Sequence, residues 1–205
     1  MNHHDKPKTK KPLRVLMDAD GVFVDFVHGV LQETHRLTGQ TVRSVDITKW
    51  DLFDQISEIT GRKDLSRLLS DRVQYEHFCL NLPALPGAED ALQRLLQLDR
   101  DGDIHLLIAT APWQTSRHWM HERSHWFKKR GLPLERVIHA TIKHPIAADL
   151  FFDDKPDNVS AWQNHNPYGL GYLWDSHHNQ EEEKLSRCVG WDDFFLTIQR
   201  HLLRP

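Results

Sequence analysis

The chain has 205 residues, 27% of them charged and 39% hydrophobic, with a formal net charge of −3. That length suits one domain, or one core with a sizeable insertion, and the charge balance carries no footprint for a nucleic-acid polymer or an anionic membrane. No apolar run nears the ~20 residues of a bilayer span, and two cysteines, Cys79 and Cys188, without metal-ligand spacing fit a reduced, cytoplasmic setting.

Residues 1–12, with four lysines and no apolar segment behind them, read as a disordered tail and not as a secretory signal. The first strand is expected at "LRVLMD" (13–18). The interval from Phe26 to Pro83 is too long for a single crossover and reads as a helical insertion. Its candidate helices are "FVHGVLQETHRLTG" and "DLSRLLSDRVQYEHF", joined through "TKWDLFDQISEITG". In "GAEDALQRLLQLDR", Ala88, Ala91, Leu92, Leu95 and Leu96 make one apolar stripe at helical spacing after Pro86-Gly87. Compact apolar runs follow at "IHLLIAT" (104–110), "RVIHAT" (136–141), "DLFFDD" (149–154) and "LGYLWD" (170–175), the pattern of strands covered on both faces. Between the first two of these, His118, His121 and His125 share a helical face opposite Trp119, Trp126 and Phe127, so they are expected to point outward and hold no metal. "EEEK" (181–184) reads as a solvated loop, and "WDDFFLTIQRHLL" closes the chain as an amphipathic helix. Alternating strands and helices give an α/β, Rossmann-like fold with a mostly parallel sheet flanked by helices. Its core is expected at 13–26 and 84–205, with a small helical cap at 27–83 inserted after the first strand.

Open parallel sheets bind ligands beyond the carboxyl ends of their strands. The first strand delivers Asp18 and Asp20 there, the second Thr110, and the fourth Asp153 and Asp154, while Lys143 follows the third. Any one of these residues is an ordinary polar end to a strand. Four carboxylates on one rim repel each other, however, and need a cation to stay ionised. An all-oxygen set with no nearby histidine or cysteine suits Mg²⁺. Mg²⁺, a lysine and a hydroxyl together are the partners of a phosphate group.

The ordered motifs "DADGV", "ATAP", a lysine and "FFDD" resemble the haloacid dehalogenase (HAD) superfamily of phosphohydrolases. Within it, "DADGVFVDF", "LPALPGAEDALQRL" and "KHPIAADLFFDDKPDN" are most similar to the 5′(3′)-deoxyribonucleotidase family. The resemblance implies that Asp18 is the nucleophile forming an aspartyl-phosphate and Asp20 the general acid/base. It implies that Mg²⁺ is held by the Asp18 side chain, the Asp20 backbone carbonyl and Asp154, with Asp153 acting through a further shell. Thr110 and Lys143 would bind the phosphate. Gly21 lets the chain turn and is expected to leave backbone N–H groups free toward the phosphate.

By the same resemblance Phe26 lines a nucleobase pocket, and the aromatics Trp50, Phe53, Tyr75 and Phe78 either stack on the base or form the insertion's own core. The sequence departs from the family after Thr110, where Ala111, Pro112, Trp113 and Gln114 remove a hydroxyl and a charge and add a ring beside the substrate. It departs again at Lys155, which lacks the planar fork of arginine. The expected activity is a Mg²⁺-dependent phosphomonoesterase acting on a nucleoside monophosphate, a small molecule and not a polymer. A phosphatase for another ester such as a sugar phosphate, and a non-catalytic phosphate-binding protein, are its rivals. A phospho-receiver module does not fit, because its phosphoacceptor lies on a later strand than its acid pair. A homodimer is compatible with this reading, and no residue pattern argues for one.

Overall fold

The structure, a computed structural model, describes residues 11–203; residues 1–10 of the expected tail lie outside the described residues. Six parallel strands form one sheet in the order β3-β2-β1-β4-β5-β6. They are β1 (Leu13–Met17), β2 (Ile104–Thr110), β3 (Val137–His139), β4 (Leu150–Asp153), β5 (Leu170–Trp174) and β6 (Arg187–Cys188). The helices are α1 (Phe26–Thr38), α2 (Leu52–Thr60), α3 (Leu65–Arg72), α4 (Ala88–Arg100), α5 (Trp119–Lys128), α6 (Pro156–His165) and α7 (Gly190–Leu202).

β1 lies at the centre because it is apolar on both faces. Val15 and Met17 point into a cluster with α4, α5 and α7, while Leu16 points into a second cluster with Val159 and Trp162 of α6. Phe151 and Phe152 of β4 divide the same way. Both are fully buried, each contributing roughly 1.5–3 kcal/mol. Residue Met17 pairs with Ile108 on one side and Phe152 on the other. The sheet order reverses at this strand, which places the crevice of a doubly wound sheet beyond its carboxyl end.

The insertion differs from the sequence expectation in its helices. The stretch at 48–61 holds α2, with Leu52 and Ile56 buried one turn apart and Gly61, at φ 71°, ending it. The last insertion helix stops at Arg72 and does not reach Phe78, since residues 73–81 run as successive turns. The insertion has its own apolar cluster, including Val30, Ile56, Leu65 and Leu69, into which α5 inserts Trp119. Two strands also differ. The third is Val137–His139, shorter than 136–141, and the two-residue β6 was not expected, being too short to show a pattern.

Candidate functional site

The carboxyl ends of β1, β2 and β4 bring the chemistry together. Asp18, one residue past β1, is buried, and its Oδ1 lies 2.7 Å from Lys143 Nζ. The same lysine donates to Asp153 Oδ2 at 2.7 Å, so one buried cation is shared by two carboxylates. Asp153 also accepts from the Lys155 amide at 2.8 Å and from Asn158 Nδ2 at 3.0 Å, which occupies both of its oxygens. Acceptor atoms of Asp18, Asp153 and Asp154 all lie within 4.8 Å of one another, a buried trio suited to a divalent cation. Thr110 is fully buried, and its hydroxyl has no partner among the described residues.

Burial pushes the Asp18 carboxyl well above its usual range; the Lys143 charge opposes this, and Asp153, Asp154 and Asp20 add to it. Burial also raises Asp154 and Asp20, opposed mainly by His178 and by Arg123 respectively. Lys143 is itself held above its ordinary value: burial lowers it, and Asp18 and Asp153 outweigh that. The acids are therefore crowded and desolvated, and positive charge, from lysine or from a bound cation, favours their ionised form.

Gly21 meets the first part of its expectation and not the second. It turns the chain at φ 72°, but its amide donates to Val24 O at 3.0 Å and is not free for a phosphate. A side chain there would have to displace Asp154: a Cβ would sit 1.8 Å from Asp154 Oδ2. The glycine lets the β1 loop lie directly against the second acid of the β4 pair.

A histidine does approach the acids, contrary to expectation. His178, in the loop after β5, places Nε2 3.1 Å from Asp154 Oδ2, and its Nδ1 faces Ser176 Oγ at 2.9 Å. Asn179 pins that loop by donating to the Asp154 and Trp174 carbonyls, each at 2.8 Å. Arg123 of α5 was also not anticipated. It is wholly buried and pairs with Asp20 Oδ1 at 2.5 Å. Its signal in the sequence is a charge set between Trp119, Trp126 and Phe127 on a buried helical face.

The acids open into a cavity of about 910 Å³ whose wall includes Asp18, Asp20, Lys143, Asp154, Phe26 and Trp113. Phe26 is the centre of an aromatic group, with ring centroids 6.0–6.4 Å from those of Phe53, Phe78, Trp113 and Trp119. Trp50 lies half exposed on the same wall, edge-on to His178 and beneath Lys155 Nζ. Tyr75 and Phe78 line a separate, smaller pocket with Arg36 and Arg72, and Phe78 packs against the insertion's apolar cluster, the second of the two places open to it. On α5, His121 is exposed and lies 4.2 Å from the half-buried His125, ring to ring, and neither lines the cavity.

Comparison with known proteins agrees with this arrangement. The family described as "5' nucleotidase, deoxy (Pyrimidine), cytosolic type C protein" matches residues 11–202. The mitochondrial 5'(3')-deoxyribonucleotidase of Mus musculus is 30% identical, covering 93% of this chain and 86% of its own. The cytosolic-type human 5'(3')-deoxyribonucleotidase is 27% identical, covering 92% and 94%. Among solved structures, the HAD-hydrolase YfnB of Bacillus subtilis, bound to magnesium, superposes with a TM-score of 0.58 at 12% identity, covering 92% of this chain and 99% of that one. A haloacid dehalogenase-like hydrolase of Burkholderia xenovorans gives 0.55 at 15%, covering 96% and 100%. A Rossmann-like sheet with paired acids beyond its central strand, and a family match over nearly the whole chain, lead to one conclusion: this chain is a phosphoric monoester hydrolase and belongs to the 5'(3')-deoxyribonucleotidase family of HAD phosphohydrolases.

Proposed function

We propose that the protein is a Mg²⁺-dependent nucleotidase that removes the phosphate of nucleoside monophosphates through an aspartyl-phosphate on Asp18. The observation that carries this reading is the buried group of Asp18, Lys143, Asp153 and Asp154, of which Asp18, Lys143 and Asp154 line an aromatic-walled cavity of about 910 Å³, a volume in the range of small-molecule sites. Asp18, the Asp20 carbonyl and Asp154 would hold the cation, an oxygen donor set of the kind Mg²⁺ takes. Asp153, with both oxygens already bonded, would act from behind by fixing Lys143. When bound, the cation supplies charge neutralisation at the phosphoryl oxygens.

The chain's own residues do the rest. Lys143 keeps Asp18 ionised and directed, Thr110 offers a hydroxyl to the phosphate, and Asp20 exchanges protons with the leaving oxygen and then with water. Phe26 and Trp113 would flank the nucleobase. The insertion at 27–83 would act as the cap over the core formed by 13–26 and 84–205, a division supported by its separate apolar cluster. The two buried free cysteines are in keeping with a reduced, cytoplasmic setting.

The test is phosphate release from a panel of nucleoside monophosphates and sugar phosphates, with Mg²⁺ and with a chelator. Turnover of nucleotides that needs Mg²⁺ is the expected result. Turnover confined to sugar phosphates moves the assignment to another small ester, and no turnover of any ester contradicts it.

A further inference from the structure

Arg123 is an unusual residue to bury. It lies on the face of α5 that packs inward, its side chain has no exposed surface, and its Nε and Nη1 groups have no partner among the described residues. A guanidinium so placed is desolvated without full compensation, and an aliphatic side chain would fill the space at lower cost. The Trp119 ring, 5.3 Å from the guanidinium carbon, recovers only part of this. What the position gains is Asp20. The pair is one-sided: Arg123 is enclosed behind the wall, while Asp20 keeps 28% of its side chain exposed and lines the cavity. The guanidinium takes Oδ1 alone, which fixes rotation of the carboxyl and leaves Oδ2 for other partners.

We propose that Arg123 is a positioning residue that clamps the Asp20 carboxyl with Oδ2 toward the leaving-group oxygen; this rests on the reading of Asp20 as the acid/base. In the first step an Asp18 oxygen bonds to phosphorus as the bond from phosphorus to the leaving alcohol breaks. The leaving oxygen keeps that electron pair and takes the proton from Asp20. In the second step Asp20 takes a proton from water, the water oxygen bonds to phosphorus, and the bond to Asp18 breaks with its pair returning to the carboxylate. Both proton transfers use the same carboxyl in the same orientation, and Arg123 faces the negative charge left on it between them.

The experiment compares kcat/KM, which covers the steps up to departure of the leaving group, for two leaving groups. A nucleoside monophosphate expels a basic alkoxide that needs the proton, whereas p-nitrophenyl phosphate expels a phenolate that does not. For R123Q the nucleotide value should fall about 10- to 100-fold, part of the 10²–10⁴ typical of general acid catalysis, and the aryl value by less than about 3-fold. R123K, which keeps the charge but lacks the guanidinium nitrogen that reaches Oδ1, should show the same asymmetry to a smaller extent, and it decides the matter should R123Q fail to fold. Equal losses on both esters, or no loss on the nucleotide, overturn the proposal. D20N measured alongside separates the layers: asymmetry in D20N without any in the Arg123 variants overturns the role of Arg123 alone. Absence of asymmetry in D20N overturns the acid/base assignment itself. Should the wild type cleave only another alkyl phosphate, the nucleotide reading fails and the same comparison on that ester still decides Arg123.

Discussion

Asp18, Asp20 and Asp154 meet because Gly21 has no side chain. Its φ of 72° and the 1.8 Å approach of Asp154 to where a Cβ would stand make this position intolerant on two counts. G21A should lose about 1–2 kcal/mol from the left-handed backbone alone, and the displaced Asp154 should weaken Mg²⁺ binding at least about 10-fold by calorimetry. Wild-type metal affinity in G21A would contradict the placement of Asp154 at the cation. Among the aromatic residues, Phe26 is a poor reporter of substrate, because truncating it opens the contacts of four other rings. Trp113, half-buried on the same wall, packs against the rings of Phe26, Phe53 and Trp119, so its test of base stacking is read against a small ester that does not reach the rings. Stacking of about 1–3 kcal/mol predicts that W113A lowers kcat/KM for a nucleoside monophosphate roughly 5- to 150-fold. A small alkyl phosphate should be little affected, and matched losses on both would remove the nucleobase from the pocket.

At the scale of elements, α5 ties the insertion to the core. Its buried Glu122 accepts the amides of His77 at 2.6 Å and Leu80 at 3.1 Å, where the chain leaves the insertion. His77 there has φ 70°, an unusual conformation for a non-glycine residue. E122A leaves two amides without their acceptor and should cost about 2–3 kcal/mol, with faster hydrogen exchange at 77–80. Unchanged exchange would show that another contact holds the turn. The elements legible from sequence were those with strong patterns: apolar runs for β1, β2, β4 and β5, and long stripes for α4 and α7. The second insertion helix was missed because it buries only Leu52, Ile56, Gln55 and Thr60 among polar neighbours, too short a stripe to stand out. The acids at strand ends were legible because strand direction alone brings them together. His178 was not, because it reaches Asp154 from an irregular loop that Asn179 fixes through tertiary hydrogen bonds. Arg123 was readable in principle, as a charge inside an apolar helical stripe.

For the whole molecule, the site is a cost to folding that a bound cation would offset. Asp18, Asp20 and Asp154 are held above their ordinary value of 3.8, in each case chiefly by burial. Carboxyls raised in this way favour the folded state when protonated. The stability they contribute is fully present below the unfolded value and is lost as pH rises through the higher folded values. Bound Mg²⁺ would replace the missing protons, so its effect on Tm should grow with pH. At Mg²⁺ near 100 times Kd, the gain is about 2.7 kcal/mol, or roughly 5–10 °C for a chain of this size at about pH 7.5, and clearly less at about pH 5. An equal shift at both pH values would mean that the cation binds elsewhere. The proposed mechanism turns on one atom, the Asp18 carboxylate oxygen, as the nucleophile toward phosphorus. The most direct measurement is therefore phosphate release from a nucleoside monophosphate and from p-nitrophenyl phosphate by D18N beside the wild type. An amide of the same shape cannot form the acyl-phosphate, so turnover of both esters should fall by about 10³-fold or more while circular dichroism is unchanged. Retention of more than a few per cent of wild-type turnover by a folded D18N would contradict the covalent mechanism.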